Sequence, residues 1–228
     1  MKLRYLRTAL GVLGIAGIVV FFLFPKEKKY ECLDKEQNFY LSGDSASGTA
    51  FAELSNAGFI CYLFKENGMC GAGFSFARGK NRNFKNWNLM DSLILYLQSS
   101  EYLKELIVQV LTIDPDHTNL ESRSTMKPAI KELKLTPGKN RYSIYMEHLY
   151  TPDYWFEQQN VKSKGNMKRF STVAGLELFS GWANKAGMPL ELKIESICLE
   201  GHSNVPFVIL ICYLGILITI AISVRIRA

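Results

Sequence analysis

Aromatic side chains that cluster in one short stretch are the residues best suited to binding chemistry in this chain. The run from Tyr150 to Phe156 holds four aromatic residues around a proline and an aspartate. A sugar ring can stack its apolar face on Trp or Tyr while polar neighbours hold its hydroxyl groups. Alternatively, Pro152 and Trp155 only close the open end of a β-sandwich, because aromatic side chains bury a large area. The candidate ligand-binding residues are Tyr154, Trp155, Trp87 and Trp182.

The sequence gives little support for an enzyme. The sequence has no GxSxG, HExxH or Walker motif, and its histidines are His117, His148 and His202. Glu147 and His148 lie near Asp153, but neighbours on a strand point to opposite faces and do not share a pocket easily. Asp44, in a loop rich in Gly and Ser, is either a calcium ligand or, as we expect, a turn former. We therefore predict a protein that is not an enzyme and needs no metal or cofactor.

Cysteines predict a disulfide framework. Four of the five, Cys32, Cys61, Cys70 and Cys198, lie in one polar region, whereas Cys212 lies in an apolar segment. In an oxidising compartment four thiols suggest two bridges, with three possible connectivities. The spacing favours Cys61 with Cys70, which flank an Asn-Gly hairpin signal, and Cys32 with Cys198, near the two ends of the domain. The alternative is four unpaired buried thiols.

Strand patterns dominate between the cysteines. Leu93, Leu95 and Leu97 recur at every second position, and residues 106–113 form a nearly continuous apolar run that suits a strand buried on both faces. Residues 141–146 and 190–195 also alternate with period two. Turn signals stand at residues 67–68, 137–138 and 187–189, and short helical turns are expected at 99–106 and 168–174. About 180 residues without a βαβ rhythm predict one mainly β domain, a jelly-roll sandwich.

Two apolar segments bracket this domain. Residues 8–24 and 205–224 contain no charged residue, and a helix that crosses a bilayer needs about 20 apolar residues. We therefore expect two transmembrane α-helices. The segments would be a cytoplasmic N-terminus (1–7), a first helix (8–24), the extracytoplasmic jelly roll (25–204), a second helix (205–224) and a cytoplasmic C-terminus (225–228). A cleaved signal peptide is the alternative for the first segment, although no clean small-x-small site follows it.

The charge distribution agrees with this topology. The net charge is +6, but all 21 acidic residues lie between the two segments together with 22 of the 27 lysines and arginines. The excess of positive charge is mostly at the outer flanks, as expected on a cytoplasmic side. Nucleic acid is therefore not an expected partner. Gly11, Gly14 and Gly17 could let a second helix approach closely, or simply reflect the high glycine content of such helices.

The order of the segments resembles a known fold family. The stretch Gly43–Gly48, the pair Phe74 and Phe76, residues 86–95 and residues 192–201 follow each other as in galactose-binding-like jelly rolls. They are similar to the complex I intermediate-associated protein type and to carbohydrate-binding jelly rolls. The stretch Cys61–Cys70 also resembles a segment of bacterial extracytoplasmic sensor domains, which sit between two membrane helices ahead of an output domain. In this sequence Ala228 follows the second apolar segment closely, so we expect any output to come from another chain.

These observations predict a non-enzymatic, two-pass protein of the bacterial inner membrane with a periplasmic jelly roll. Its expected role is to bind a partner protein or a saccharide and to anchor or regulate a membrane complex. Its expected partners are the lipid bilayer, another membrane protein and a saccharide. The alternative is a ligand-sensing ectodomain whose output is supplied by a separate signalling chain.

Overall fold

The computed structural model describes residues 11–19, 21, 28–33, 39–43, 48–66, 68–77, 82–161, 170–202 and 205–226. The chain divides into two compact units. One is Tyr30–Glu200, and the other combines Met1–Lys29 with Gly201–Ala228. The loop with Asp44, and Asn67 of the Asn-Gly signal, lie outside the described residues.

Two β-sheets form the larger unit. Sheet A has the order β3-β4-β11-β6-β9, with β1 also paired to β11, and sheet B has the order β2-β5-β10-β7-β8. The strands are β1 Lys28–Cys32, β2 Phe39–Gly43, β3 Ala50–Ser55, β4 Gly58–Leu63, β5 Cys70–Ser75, β6 Met90–Ser99, β7 Glu105–Thr112, β8 Lys127–Lys134, β9 Gly138–Tyr145, β10 Val173–Ser180 and β11 Pro189–His202. Short 3₁₀ turns lie at Arg123–Thr125 and Met146–His148, and the helix α2 spans Asp153–Gln158.

The hydrophobic core lies between the two sheets. Leu93 and Leu95 of β6 and Leu176 and Leu178 of β10 belong to the same buried cluster. Each fully buried leucine stabilises the fold by about 1.5–3 kcal/mol relative to an exposed one. Because side chains alternate along a strand, Glu177 between these two leucines points to the outer face of sheet B. The mainly β sandwich predicted from the sequence is therefore confirmed.

Most of the predicted strands are present. The alternating and apolar runs at 93–97, 106–113, 141–146 and 190–195 correspond to β6, β7, β9 and β11, and β7 is buried on both faces as predicted. The predicted helical turn at 99–106 is wrong, since residue 99 ends β6 and residue 105 begins β7. The described part of 168–174 is likewise not helical, because β10 begins at Val173.

Both predicted disulfides form, Cys32–Cys198 and Cys61–Cys70. The first joins the end of β1 to its neighbour β11. The second does not close a hairpin, so that part of the prediction is wrong. Its β4 residue pairs within sheet A and its β5 residue within sheet B, and the bridge therefore links the two sheets.

The smaller unit contains helical residues 11–19 (α1) and the helix α3, Val205–Ile226. The hydroxyl of Tyr213 donates a hydrogen bond to the backbone carbonyl of Leu13 at 2.9 Å. A Cβ at Gly17 would overlap the Tyr213 ring, whereas Gly11 and Gly14 have nothing close to them. One of the three predicted glycines therefore permits close helix contact. Within the described ranges, no helix combines the length and apolarity that a membrane span requires.

Candidate functional site

A buried carboxylate on the outer face of sheet B is the most distinctive polar feature of the larger unit. Glu177 is 0 % exposed although it faces away from the sandwich core. A buried carboxylate is stable only when it is paired and hydrogen-bonded. Three side chains from three other parts of the chain provide this compensation.

The three partners of Glu177 are Tyr40, Gln109 and Arg123. The Tyr40 hydroxyl donates to Oε1, the Gln109 Nε2 amide donates to Oε2 at 2.9 Å, and the Arg123 guanidinium forms an ion pair with Oε1. The guanidinium carbon also lies 5.3 Å from the centre of the Tyr40 ring. These four residues are called the sheet-B polar cluster below.

Strand register brings three members of this cluster into one row. Glu177 of β10 is directly opposite Gly73 of β5 and Gln109 of β7, and Gly73 is opposite Tyr40 of β2. A Cβ at Gly73 would lie 2.9 Å from both the Tyr40 hydroxyl and the Glu177 Cγ. Glycine at this position therefore lets the two side chains meet across the intervening strand. Arg123 reaches the same row from the 3₁₀ turn that precedes β8.

The predicted aromatic site is not assembled around Trp155. Residues 153–158 form the helix α2 rather than an exposed loop, and Trp155 is 1 % exposed. Its ring packs edge-on against His117 and Phe156, and Lys127 Nζ lies 5.4 Å from its centre. The Trp155 indole therefore has no open face for a sugar, and the packing agrees with the structural alternative.

Trp87 is likewise unable to form a platform. Its side chain is fully buried and packs edge-on against Phe76 at 5.8 Å between ring centres. Its indole Nε1 has no hydrogen-bond partner among the described residues. The prediction that Trp87 binds a ligand is therefore not supported, because the core of the sandwich occupies both faces of the ring.

Tyr154 and Trp182 are exposed but lie at opposite ends of sheet B. Their exposed fractions are 48 % and 60 %, and partial burial raises the pKa of Tyr154. The helix that carries Tyr154 contacts Thr125, near the end of the sheet where β10 begins. Trp182 follows the other end of β10, an eight-residue strand of about 26 Å. The four predicted aromatic residues therefore do not form one site.

A small acidic group lies near Trp155. Asp114, Asp116 and His117 have potential metal-ligating atoms within 4.8 Å of one another. Burial alone would raise the pKa of Asp114, but hydrogen bonds from His117 and the Asp116 backbone, with the charges of His117 and Lys127, lower it. The Lys127 ammonium lies 3.9 Å from this carboxylate, which already compensates its charge. We assign no metal site, and the expected absence of a metal stays a prediction.

The Glu147 and His148 pair lies on a 3₁₀ turn, so the predicted strand at this position is wrong. Their side chains face solvent, and His148 Nε2 lies 3.7 Å from Glu147 Oε1. The sheet-B polar cluster, in contrast, was not predicted. Its one sequence signal is the alternation of Glu177 with two buried leucines, which places a carboxylate on the outer face without showing what covers it.

No protein-family model and no curated protein sequence matches this chain. Among solved structures, the fold is similar to a family 11 carbohydrate-binding module from Clostridium thermocellum, solved in complex with a β-1,3-1,4-mixed-linked tetrasaccharide. The TM-score is 0.54 at 11% identity, over 76% of this chain and 96% of that chain. A xylan-binding module, CBM15, gives a TM-score of 0.41 at 12% identity, over 77% and 97%. The similarity to complex I intermediate-associated proteins and to sensor domains stays a prediction. The larger unit of this chain has the jelly-roll fold seen in carbohydrate-binding modules.

Proposed function

We propose that the Tyr30–Glu200 unit is a non-catalytic saccharide-binding domain whose ligand lies on the outer face of sheet B. The observation that carries this proposal is the fully buried Glu177 on that outer face, held by Tyr40, Gln109 and Arg123. Ligand sites typically combine apolar or aromatic surface with a few precisely placed polar groups. The likeness to a module solved with a mixed-linked tetrasaccharide supports the ligand class.

Within the sheet-B polar cluster, Glu177 positions the groups that a saccharide would touch. Arg123 has 47% of its side chain exposed, and Tyr40 is half-buried. A guanidinium has five N–H donors, so an ion pair with one carboxylate oxygen leaves donors for sugar hydroxyl groups. The Tyr40 ring next to the guanidinium supplies the apolar surface.

Glycines let neighbouring groups approach β5 closely on this face. Gly71 and Gly73 lie on the same face of sheet B, because they are two positions apart on the strand β5. Gly71 is opposite Ser42 and Phe179, and Gly73 is opposite Tyr40 and Glu177. A Cβ at Gly71 would overlap the backbone of β10, and a Cβ at Gly73 would meet the Tyr40 and Glu177 side chains. Glycine at these two positions therefore allows the sheet-B polar cluster to assemble.

The cluster is poorly suited to catalysis of glycoside hydrolysis. That reaction uses two carboxyl groups on either side of the scissile bond. The sheet-B polar cluster contains a single carboxylate, and an arginine pairs with it. We therefore propose binding without bond cleavage.

The test is a calorimetric titration of the full chain with the β-1,3-1,4-mixed-linked tetrasaccharide. Glu177→Gln should weaken binding by at least about tenfold, since the amide does not pair with the Arg123 charge and no longer fixes its position. Arg123→Lys should also weaken binding, because lysine loses the planar fork of donors. The matched control is Glu195→Gln on β11 of sheet A, whose carboxylate forms an ion pair with Lys139.

Circular dichroism would establish that each variant is folded. A folded Glu177→Gln protein that binds the tetrasaccharide as tightly as the wild type would refute the site. Equal losses in Glu177→Gln and Glu195→Gln would also refute it, because they would indicate a non-specific effect of removing charge.

We further propose that the domain is held at the bacterial inner membrane, on the periplasmic side, and there contacts another membrane protein. The support is the uncharged sequence of residues 205–224 and the exposed apolar side chains along α3, which favour an apolar environment. These side chains are Val208, Ile209, Ile211, Ile216, Ile218 and Ile222.

Reporters fused at residues 1 and 228 should register as cytoplasmic and one near residue 80 as external. An active cytoplasmic reporter near residue 80 would contradict this placement.

A further inference from the structure

Trp182 is the one tryptophan of this chain whose indole ring is exposed. The sequence contains three tryptophans, and Trp87 and Trp155 are fully buried. Trp182 is 60 % exposed on the turn that follows β10. A large, partly apolar ring presented to solvent on a surface turn is a candidate contact residue.

The turn that carries Trp182 is held rigidly by a buried asparagine. The Asn184 Oδ1 accepts from the backbone N–H groups of Lys104 and Glu105, at 2.8 and 3.2 Å. Its Nδ2 donates to the carbonyls of Glu105 and Gly181, at 2.7 and 3.0 Å. A side chain that makes four hydrogen bonds fixes the turn before a ligand arrives, which lowers the entropy lost on binding.

The carboxylate of Glu105 lies beside Trp182. Its Oε1 accepts from the backbone N–H of Ala183 at 3.3 Å, and a Cβ at Gly181 would overlap the Glu105 side chain. Both residues next to Trp182 in the sequence therefore contact Glu105. The arrangement combines an exposed aromatic ring with a hydrogen-bond acceptor held at a fixed place.

The surroundings favour a small polar ligand over a protein partner. Lys104 and Lys185 are exposed next to this turn, so the ring is bordered by charged groups. Energetically important protein contacts are instead usually enclosed by neighbours that exclude water. A saccharide needs one aromatic face with polar groups around it, which is what this turn offers.

We infer that Trp182 and Glu105 form a second saccharide-binding subsite at the end of the sandwich where β10 ends and β7 begins. The sugar ring stacks on the indole, and a hydroxyl group donates to the Glu105 carboxylate. This inference rests on the proposed function for the class of its ligand, but not on the sheet-B polar cluster. Trp182 lies five positions after Glu177 and beyond the end of β10, at most about 16 Å away along the chain.

The test uses acrylamide quenching of tryptophan fluorescence in the full chain. Because Trp87 and Trp155 are buried, the readily quenched emission belongs to Trp182. The β-1,3-1,4-mixed-linked tetrasaccharide, or the parent glucan, should protect this emission from quenching. Trp182→Ala should abolish the quenched component and weaken binding of the glucan by about tenfold, whereas Trp182→Phe should keep part of the affinity.

The two sites are separated by comparing Trp182→Ala with Glu177→Gln. Loss of affinity in Trp182→Ala with none in Glu177→Gln would support this subsite and refute the proposed sheet-B site. Loss in Glu177→Gln, with unchanged affinity in Trp182→Ala and no protection of Trp182, would overturn this inference and leave the proposed function standing. Absence of binding to the tetrasaccharide and to the glucan by the wild type would overturn both.

Discussion

Replacing Trp155 with alanine tests the assignment of this residue to the core rather than to a ligand site. The side chain is 1 % exposed, and a buried Trp→Ala change costs about 3–5 kcal/mol through lost burial and the resulting cavity. The indole N–H donates to the Thr125 carbonyl at 3.4 Å, a long hydrogen bond that adds little. Lys127 also loses the ring beneath its ammonium, although Phe156 and Asp114 remain near it. We therefore expect a total loss of about 3–5 kcal/mol.

Thermal unfolding of the full chain, followed by circular dichroism, measures this loss. For a domain of this size, 3–5 kcal/mol lowers Tm by roughly 6–20 °C. Trp182→Ala is the matched control, since it removes the same side chain from an exposed position and should change stability by less than about 0.5 kcal/mol. Equal Tm values for the two variants would refute the buried assignment. A stable Trp155→Ala protein that no longer binds the tetrasaccharide would restore Trp155 as a ligand residue.

Three further predictions follow from the cysteines and the titratable groups. Replacing Cys61 and Cys70 with serine should lower the free energy of unfolding by about 2–3 kcal/mol, and replacing Cys32 and Cys198 should lower it more, because that loop is much longer. Mass mapping of an unreduced tryptic digest should find both bridges, and four alkylatable thiols in the native domain would contradict them. The lowered pKa of Asp114 stabilises the fold above the unfolded pKa near 3.9, and this contribution is lost as pH falls through the lower folded value. Asp114→Asn should therefore weaken the dependence of unfolding on pH below about pH 4, and an unchanged acid limb would contradict the assignment. The hydrogen bond to Glu132 raises the pKa of Tyr150 to about 12, so Glu132→Gln should shift one phenol of an ultraviolet titration to lower pH, and an unchanged titration curve would contradict this.

The strands were predictable because their patterns are local. In β7, a continuous apolar run identifies a strand buried on both faces before any partner is known. The order of the strands was less accessible, because β10 lies between β5 and β7, which are far apart in the sequence. The hairpin predicted from the Asn-Gly signal was wrong because such a signal indicates only that the chain turns. The strands on either side, β4 and β5, join different sheets, and that choice depends on partner strands elsewhere in the chain.

Most of the candidate site could not be predicted from the sequence. Glu177 looks like an ordinary surface residue between two leucines, and its burial depends on Tyr40, Gln109 and Arg123, which come from three distant segments. Sequence composition identified the aromatic residues but not the direction of their rings. Six residues of α2 are too few to show helical periodicity, so Trp155 could not be assigned to the inner face before its packing was known.

Glycine amides give the most direct test of the proposed binding face. The sequence holds 17 glycines, and Gly71, Gly73 and Gly175 lie on the central strands of sheet B. A ¹⁵N-glycine-labelled full chain should show shifts of these three amide signals on titration with the mixed-linked tetrasaccharide, while Gly138, in sheet A, stays unchanged. Saccharide binding that leaves the Gly71, Gly73 and Gly175 signals in place would contradict the central claim that the ligand lies on the outer face of sheet B.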